Sequence, residues 1–496
     1  MQPLLALLPI LAFVALLLGL RLSAAAAGLV SASACLAIAY LAFGYPLGSI
    51  DLLGPLLEAG FTAISILWII LPALAIHEYQ TRTGATATLA AWLSSVSAKP
   101  QLAALLIAWF FALFLEGAAG FGTPIALAAP LLVAVGFTPV RALAMALLGH
   151  AAGVSFGAVG TPIVPLLNAA PLDPYVLSIL IVALHAVLGL LLPAIVFRMA
   201  RPAERSERAN WYWVPVAAAL FFVPAAALAW FLGPELPTLG GALLGLVLFA
   251  AVVRRERAAA AGAPPVPAME VGKAALPYLL VLVGVLLTRM IQPVAGMLRS
   301  ADLTWRLDAF GGSVAPLYHP GTMLMAGLVV AALVSRPLAR RELRPALVAA
   351  AARLAPVGLA LVAVLVLARL MVHSGMIETL AGSAASMAGP HWPAASPLVG
   401  ALGSFVTGSA TTSNILFADF HVAVSAAGGF SPLLPLAGQG FGAAIGNIVA
   451  PHNIIAGAAT VGLIGREAAT LRQTIPVCLV YALLGGAILL LIGPAW

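Results

Sequence analysis

From residue 3 onward the chain is a succession of apolar runs, most of them near twenty residues long and almost free of charge. The hydrocarbon layer of a bilayer is about 30 Å thick, which a helix of roughly twenty residues crosses. Inside it no water is at hand for an open backbone, so such a chain must form helices or a closed barrel. Barrel strands are about ten residues long and alternate apolar with polar side chains. These runs are longer and show no period of two, which selects helices. The chain is therefore read as an all-α, polytopic membrane protein. Composition agrees: 63% of the 496 residues are hydrophobic and 8% charged, where soluble domains carry roughly 25% charged residues.

Apolar blocks fall at 3–20, 24–44, 59–76, 100–136, 140–167, 175–197, 212–232, 238–253, 274–292, 320–335, 345–372, 394–425, 430–464 and 473–494. Residues 83–96 form a shorter block, polar on one side, which suits an interfacial helix. Residues 254–272 read as a linker. Residues 299–318, with their charges and Trp305, read as a surface loop or interfacial helix. No basic residue precedes the first run, so it is read as a retained helix and not a cleaved signal. Cys35 and Cys478 lie inside apolar blocks and read as packing residues, without a disulfide or metal pattern. The net charge of +7 comes from basic residues between blocks, the positive-inside pattern, and does not call for nucleic acid.

Those basic residues order the topology. Cytoplasmic ends are marked by Arg21, Arg82 with Lys99, Arg198 with Arg201, Arg205 and Arg208, Arg254 with Arg255 and Arg257, Arg336 with Arg340, Arg341 and Arg344, and Arg466 with Arg472. Most intervals then hold two blocks, but Lys99 to Arg198 and Arg344 to Arg466 hold three each. Parity returns if 100–136 with 140–167, and 394–425 with 430–464, each contain one broken or re-entrant element. The first pair then starts from the cytoplasm and the second from outside, which is an inverted repeat.

Each pair carries the same two features. FLEGAAGFGTP (114–124) interrupts the first, and Gly149, Gly153 and Gly157 follow at four-residue spacing. FVTGSATTSN (405–414) interrupts the second, and Gly438, Gly442 and Gly446 follow at the same spacing. Small residues four apart line one helix face and admit a neighbouring backbone.

Glu116 is the residue that most needs a reason. A carboxylate at mid-bilayer costs about 2.5–3.5 kcal/mol on insertion scales, so it is there for a proton or as a neutral structural plug. Gly117, Gly120 and Gly122 favour unwound backbone. The helix restart beyond them, with Thr123 as cap and Pro124 in the first turn, offers N–H groups to an anion. The second break offers Thr407, Ser409, Thr411, Ser413 and Asn414, hydroxyls and an amide suited to a carboxylate and a 2-hydroxyl. Their bland alternative is bonding back to their own helix carbonyls. His150 follows Gly149; Asn447, His452 and Asn453 follow the second glycine face, where Pro451 breaks the helix. Arg369, one turn before His373, either pairs a substrate carboxylate or snorkels to the interface. Asp419 and His421 read as a helix end. No HExxH, P-loop or CxxC pair points to an enzyme, a metal or a cofactor.

The stretches 114–137, 153–163, 405–418 and 446–467, with GPELP at 233–237, resemble the bacterial L-lactate permease family. The resemblance implies 12 to 14 helices and proton-coupled uptake of lactate or glycolate across the cytoplasmic membrane. More distantly, two polar breaks in inverted halves are similar to the ion-transporter superfamily, whose re-entrant hairpins carry substrate in an elevator-like motion. The family's second break commonly reads TGSDTSSN, and Ala410 stands here at the acidic position, which leaves Glu116 as the proton-coupling candidate. The expected organisation is 1–99 as N-terminal helices, 100–198 and 345–466 as core repeats, 199–344 as central scaffold and 467–496 as a final helix. The expected activity is symport of a small 2-hydroxy monocarboxylate with protons; the alternative is a sodium-coupled carrier of another small organic anion. Lipid and the carboxylate are the expected partners, and the oligomeric state is left open.

Overall fold

The computed structural model describes all residues except 1, 21, 98, 121, 202–209, 258–265, 464–465 and 494–496. Arg21, Arg205, Arg208 and residues 258–265 of the expected linker lie outside the described residues, and the linker's two ends, 254–257 and 268–272, belong instead to the helices Pro237–Arg257 and Ala268–Met290. Among those described, nine helices are long and apolar enough to cross a bilayer. Two further pairs, Pro174–Val187 with Leu191–Met199 and Leu433–Val449 with Pro451–Thr460, pass the same test together and bend by 44° at their breaks. Shorter apolar helices such as Gln2–Leu17 and Pro320–Val334 add to these. The chain is an all-α, multi-pass membrane protein.

Prolines set many of the helix starts. Pro100, Pro124, Pro139, Pro174, Pro320, Pro397 and Pro451 all stand in a first turn, where the missing N–H has no intrahelical partner to lose. Asp173 reinforces one start by accepting from the N–H groups of Tyr175 and Val176, the usual service of a capping carboxylate.

Burial separates the helices into two kinds. Of the apolar window of Pro139–Ala169, 100% is buried, and of Pro100–Ala118, 94%; for Ala24–Phe43 and Ala468–Ile492 the share is 33%. The latter show large apolar side chains outward, with Leu41 and Leu491 each 80% exposed, as a lipid-facing helix should. Helices Ser49–Arg82 and Leu343–His373 pack along each other, and Ala24–Phe43 lies against the second. The two glycine faces are packing faces, each seated on the first arm of the hairpin that precedes it. A Cβ on Gly149 would overlap Ala108 O, and one on Gly153 would stand 2.6 Å from Leu113. In the second half a Cβ on Gly442 would overlap Pro397 O, and one on Gly446 Ala401 O.

Residues 299–318 differ from the expected loop or interfacial helix. Leu303–Leu307 and Phe310–Val314 form an antiparallel hairpin, Leu303 opposite Val314 and Leu307 opposite Phe310. Threonine and tryptophan in the first strand and phenylalanine and valine in the second suit a pleated surface, and Asp308 takes the left-handed turn at φ 54°. Thr304 and Ser313 donate to the Asp302 carboxylate and hold it below the ordinary Asp range. The hairpin docks where the Gly311 N–H donates to Glu58 (3.1 Å) and Phe310 meets the His373 ring, centroids 4.6 Å apart. His373 itself bonds Glu58 at 2.8 Å. Asp419 and His421, expected at a helix end, lie inside the helix Ala410–Gly428. That helix runs on because no glycine or proline follows until Gly428.

Gly149→Ala and Gly442→Ala should each lower stability by about 1–3 kcal/mol, because a backbone carbonyl cannot step aside as a side chain can. Gly60→Ala, with no atom near the added methyl, should stay within about 0.5 kcal/mol. Thermal melting of the purified protein in detergent checks the contrast.

Candidate functional site

The first hairpin is Pro100–Ala118 and Thr123–Ala134, joined by a glycine turn. Its first arm widens to a π-helix over Leu105–Phe111, a distortion often found beside functional groups, and reaches Glu116 at its end. Gly120 (φ 56°) and Gly122 (φ 81°) turn the chain through left-handed backbone that a side chain would resist. Thr123 does not act as the cap expected of it: Gly122 takes that position, and the Thr123 hydroxyl is buried without a hydrogen-bond partner. The second hairpin is Ser396–Thr407 and Ala410–Gly428. Gly408 (φ 74°) ends its first arm, and Ser409 opens the second by accepting from the Thr412 N–H.

Each hairpin is followed by a broken span. Pro139–His150 passes into a tight 3-10 turn, Ala151–Phe156, and then into Gly157–Gly160. There Ala158 (φ 41°) and Val159 (φ 54°) hold left-handed backbone. For a β-branched residue that is a costly geometry, kept only where the surroundings enforce it. The second span breaks at Asn447–Val449 and restarts at Pro451.

These four interruptions meet. Glu116, 4% exposed, lies against Gly157 so closely that a Cβ there would overlap its Oε1, and Gly120 packs on Ala158. Glu116 Oε2 stands 3.8 Å from His150 Nε2. Val154, Ala410, Ala443 and Ala444 form one buried cluster, which brings the first span's turn to the second hairpin's tip. Asn414 Nδ2 donates to Pro162 O at 2.7 Å. Asn453 Nδ2 donates to Gly408 O (3.3 Å) and to Asn447. One turn on, Gly457 packs on Ile125 and Leu143, which closes the circuit back to the first hairpin.

The expected ligand groups divide by what they already bond. Thr407 bonds back to Gly403 O. Ser413 donates to Gly400 O and accepts from Gln439 Nε2. Gln439 also donates to Asn414 Oδ1 and accepts from His421 Nε2, and Trp392 donates to His421 Nδ1. Every donor in this buried chain has an acceptor, so Ser413 and Asn414 are committed to the protein. Thr123 and Thr411 are the uncommitted hydroxyls, 3% and 5% exposed. Gly117 is filled by the backbone of Thr238 and Leu239. His452 is exposed beside Gly408. Arg369 is held by Asp419 at 2.7 Å, nine residues along the helix from Ala410 and so about 13 Å from the tip.

Several residues here carried no sequence signal. Ser155 donates to Gly440 O and bonds His185 Nε2 at 2.9 Å, while His185 Nδ1 bonds the Tyr481 hydroxyl at 3.1 Å. Gly160 rests on Pro234 of the GPELP stretch, and Glu235 of the same stretch pairs with buried Arg289 at 2.8 Å. A polar residue separated by thirty to nearly three hundred positions from its partner leaves no local pattern to read.

A family model described as L-lactate permease matches residues 2–494. A protein from Haemophilus influenzae described as a putative L-lactate permease is 28% identical over 84% of this chain and 84% of its own length. A glycolate permease of Escherichia coli K12 is 28% identical over 99% of this chain and 95% of its own. Among solved structures, the YdaH transporter of Alcanivorax borkumensis covers 91% of this chain and 90% of its own, with 15% identity and a TM-score of 0.49.

Gln439→Leu would strand the His421 donor and remove the donor that Ser413 and Asn414 both use. At about 1–3 kcal/mol for each unsatisfied buried group, the variant should melt well below wild type. His421→Leu in the same background should restore little, since it exchanges the stranded His421 donor for the Trp392 indole N–H, which then loses its acceptor.

Proposed function

The chain belongs to the L-lactate permease family, and from that premise we propose that it carries lactate and related small 2-hydroxy monocarboxylates, glycolate among them, across the bacterial cytoplasmic membrane by symport with protons. The observation that carries this reading is the meeting of a buried carboxyl, Glu116, with two broken spans and two hairpin tips that each keep one free hydroxyl, Thr123 on the first and Thr411 on the second. Broken helices at mid-membrane turn backbone N–H and C=O groups toward a ligand and are tolerated only where protein encloses them.

In this reading the anion sits between the two tips. The backbone around Gly120 and Gly122, with the Thr123 and Thr411 hydroxyls, contacts it directly. Thr407, Ser409, Ser413, Asn414, Asn447 and Asn453 shape the seat through their bonds to the protein, and His150 borders it beside Glu116. Gly117 lets the hairpin arm approach Leu239. Arg369 acts at the rim through Asp419, and His452 flanks the second tip. Glu116 carries the coupling proton.

The two halves support an inverted repeat: residues 100–198 and 345–466 each contain a hairpin followed by a broken span whose glycine face packs on the hairpin's first arm. By the arginine count, the first hairpin opens to the cytoplasm and the second to the outside. Helices of 1–99 and 199–344 then serve as scaffold, with 467–496 closing the core.

Glu116→Gln in proteoliposomes should abolish accumulation of labelled lactate under an imposed pH gradient while exchange against preloaded lactate continues. A variant that still concentrates lactate removes Glu116 from the coupling role. Replacing sodium by choline should leave wild-type uptake as it was; dependence on sodium would transfer the reading to a sodium-coupled anion carrier. Thr123→Val should raise KM by about tenfold if the hydroxyl gives one hydrogen bond to a charged group.

A further inference from the structure

We infer that the coupling proton is shared by Glu116 and His150, with the imidazole as the second seat of that proton. The inference rests on the reading of Glu116 given above and extends it to a second residue. His150 is 1% exposed, and its Nδ1 lies 2.7 Å from Ala146 O. A carbonyl only accepts, so Nδ1 must carry a hydrogen. In a neutral ring that leaves Nε2 as a bare acceptor, and Nε2 is the atom that faces Glu116 Oε2 at 3.8 Å. An ionised carboxylate would then oppose a lone pair in apolar surroundings, with no donor for either among the described residues. One proton between them resolves the conflict in both of its positions: on Glu116 it points at Nε2, and on Nε2 it makes an ion pair. The site is therefore built to be occupied by one proton, and losing it leaves two acceptors facing each other.

The surroundings make this the pair's own affair. The helices packed around it carry Arg141, Arg198, Arg254, Arg472 and His452, and among the described residues none of these bonds to either member. Gly157 sits against Glu116 Oε1, so the carboxyl cannot retreat on that side and stays turned to His150. Separation of the two residues, as when the span Pro139–Ala169 shifts along the hairpin, would release the proton. That gives the motion of a substrate-carrying element a direct hold on protonation.

The ring tautomer tests this in the wild-type protein. Gly149–His150 is the one Gly–His step in the sequence, so carbonyl-13C glycine with 15N histidine assigns the His150 ring by nuclear magnetic resonance without a mutation. The expected ring is protonated on Nδ1 alone or on both nitrogens; protonation on Nε2 alone overturns the inference. In transport, His150→Asn keeps a donor for Ala146 O but has no Nε2, and should lose pH-driven accumulation as Glu116→Gln does, with the double variant no worse than either. Accumulation at wild-type level in His150→Asn, with Glu116→Gln inactive, leaves Glu116 as sole carrier and ends the shared-proton inference. Accumulation in Glu116→Gln instead ends the reading beneath it. If His150→Asn does not fold, the labelled wild-type ring decides alone.

Discussion

Every feature of this fold answers to one constraint: in a bilayer, backbone that leaves the helix must be wrapped in protein. Two hairpin turns and two broken spans expose more free N–H and C=O groups than lipid permits. The chain gathers them in one place, and the elements that carry the first pair are buried almost completely. The glycine faces follow from the same need. A backbone interrupted at Gly157 or Asn447 is enclosed only if its own hairpin arm comes within carbonyl contact, and that approach leaves no space for a Cβ. The lipid-facing helices, with their exposed leucines, then close the outside of a core that is polar at its centre.

Enclosure also explains how the polar groups are distributed. A buried network is stable only when each donor finds an acceptor. The route from Trp392 through His421 and Gln439 to Ser413 and Asn414 meets that condition and ends on two backbone carbonyls, Gly400 O and Pro162 O. It crosses from the second hairpin to the first broken span, so one chain of hydrogen bonds fixes two elements from different halves. Thr123 and Thr411 lie outside it. Hydroxyls left unpaired beside a satisfied network are the ones with bonding capacity to spare for a guest.

Much of the architecture was legible in the residue order because it depends on local chemistry. Apolar run length gave the helices, and the glycine turns at 117–122 and 408 marked the hairpin tips. Pro451 marked the second span's break. What escaped had one of two causes. Some features depend on alternation too short to stand out: the strands 303–307 and 310–314 are five residues each, inside a charged segment. Others depend on partners distant in sequence. Gln439 reads as one polar residue in a glycine-rich helix, and His185 as a lone histidine, until folding brings Ser413 and Ser155 to them. Arg369 shows the same limit: its position suggested substrate or interface, and its partner proved to be Asp419, fifty residues away. Val159 gave no warning either, because left-handed backbone at a β-branched residue is imposed by packing and has no propensity behind it.

On the proposed reading, the asymmetry between the two breaks has a physical consequence. The first carries a carboxyl and the second none, since Ala410 opens the second hairpin's second arm. An incoming carboxylate and an ionised Glu116 would be two like charges in one enclosed, weakly screening space, and such charges exclude each other. The anion can then settle only when a proton accompanies it, and the proton is held most firmly when the anion is present. Coupling of this kind requires no signal transmitted between distant sites. It follows from charge balance in a volume that lipid and packed helices keep free of bulk water, and a second acid at residue 410 would change the number of protons that the same balance demands.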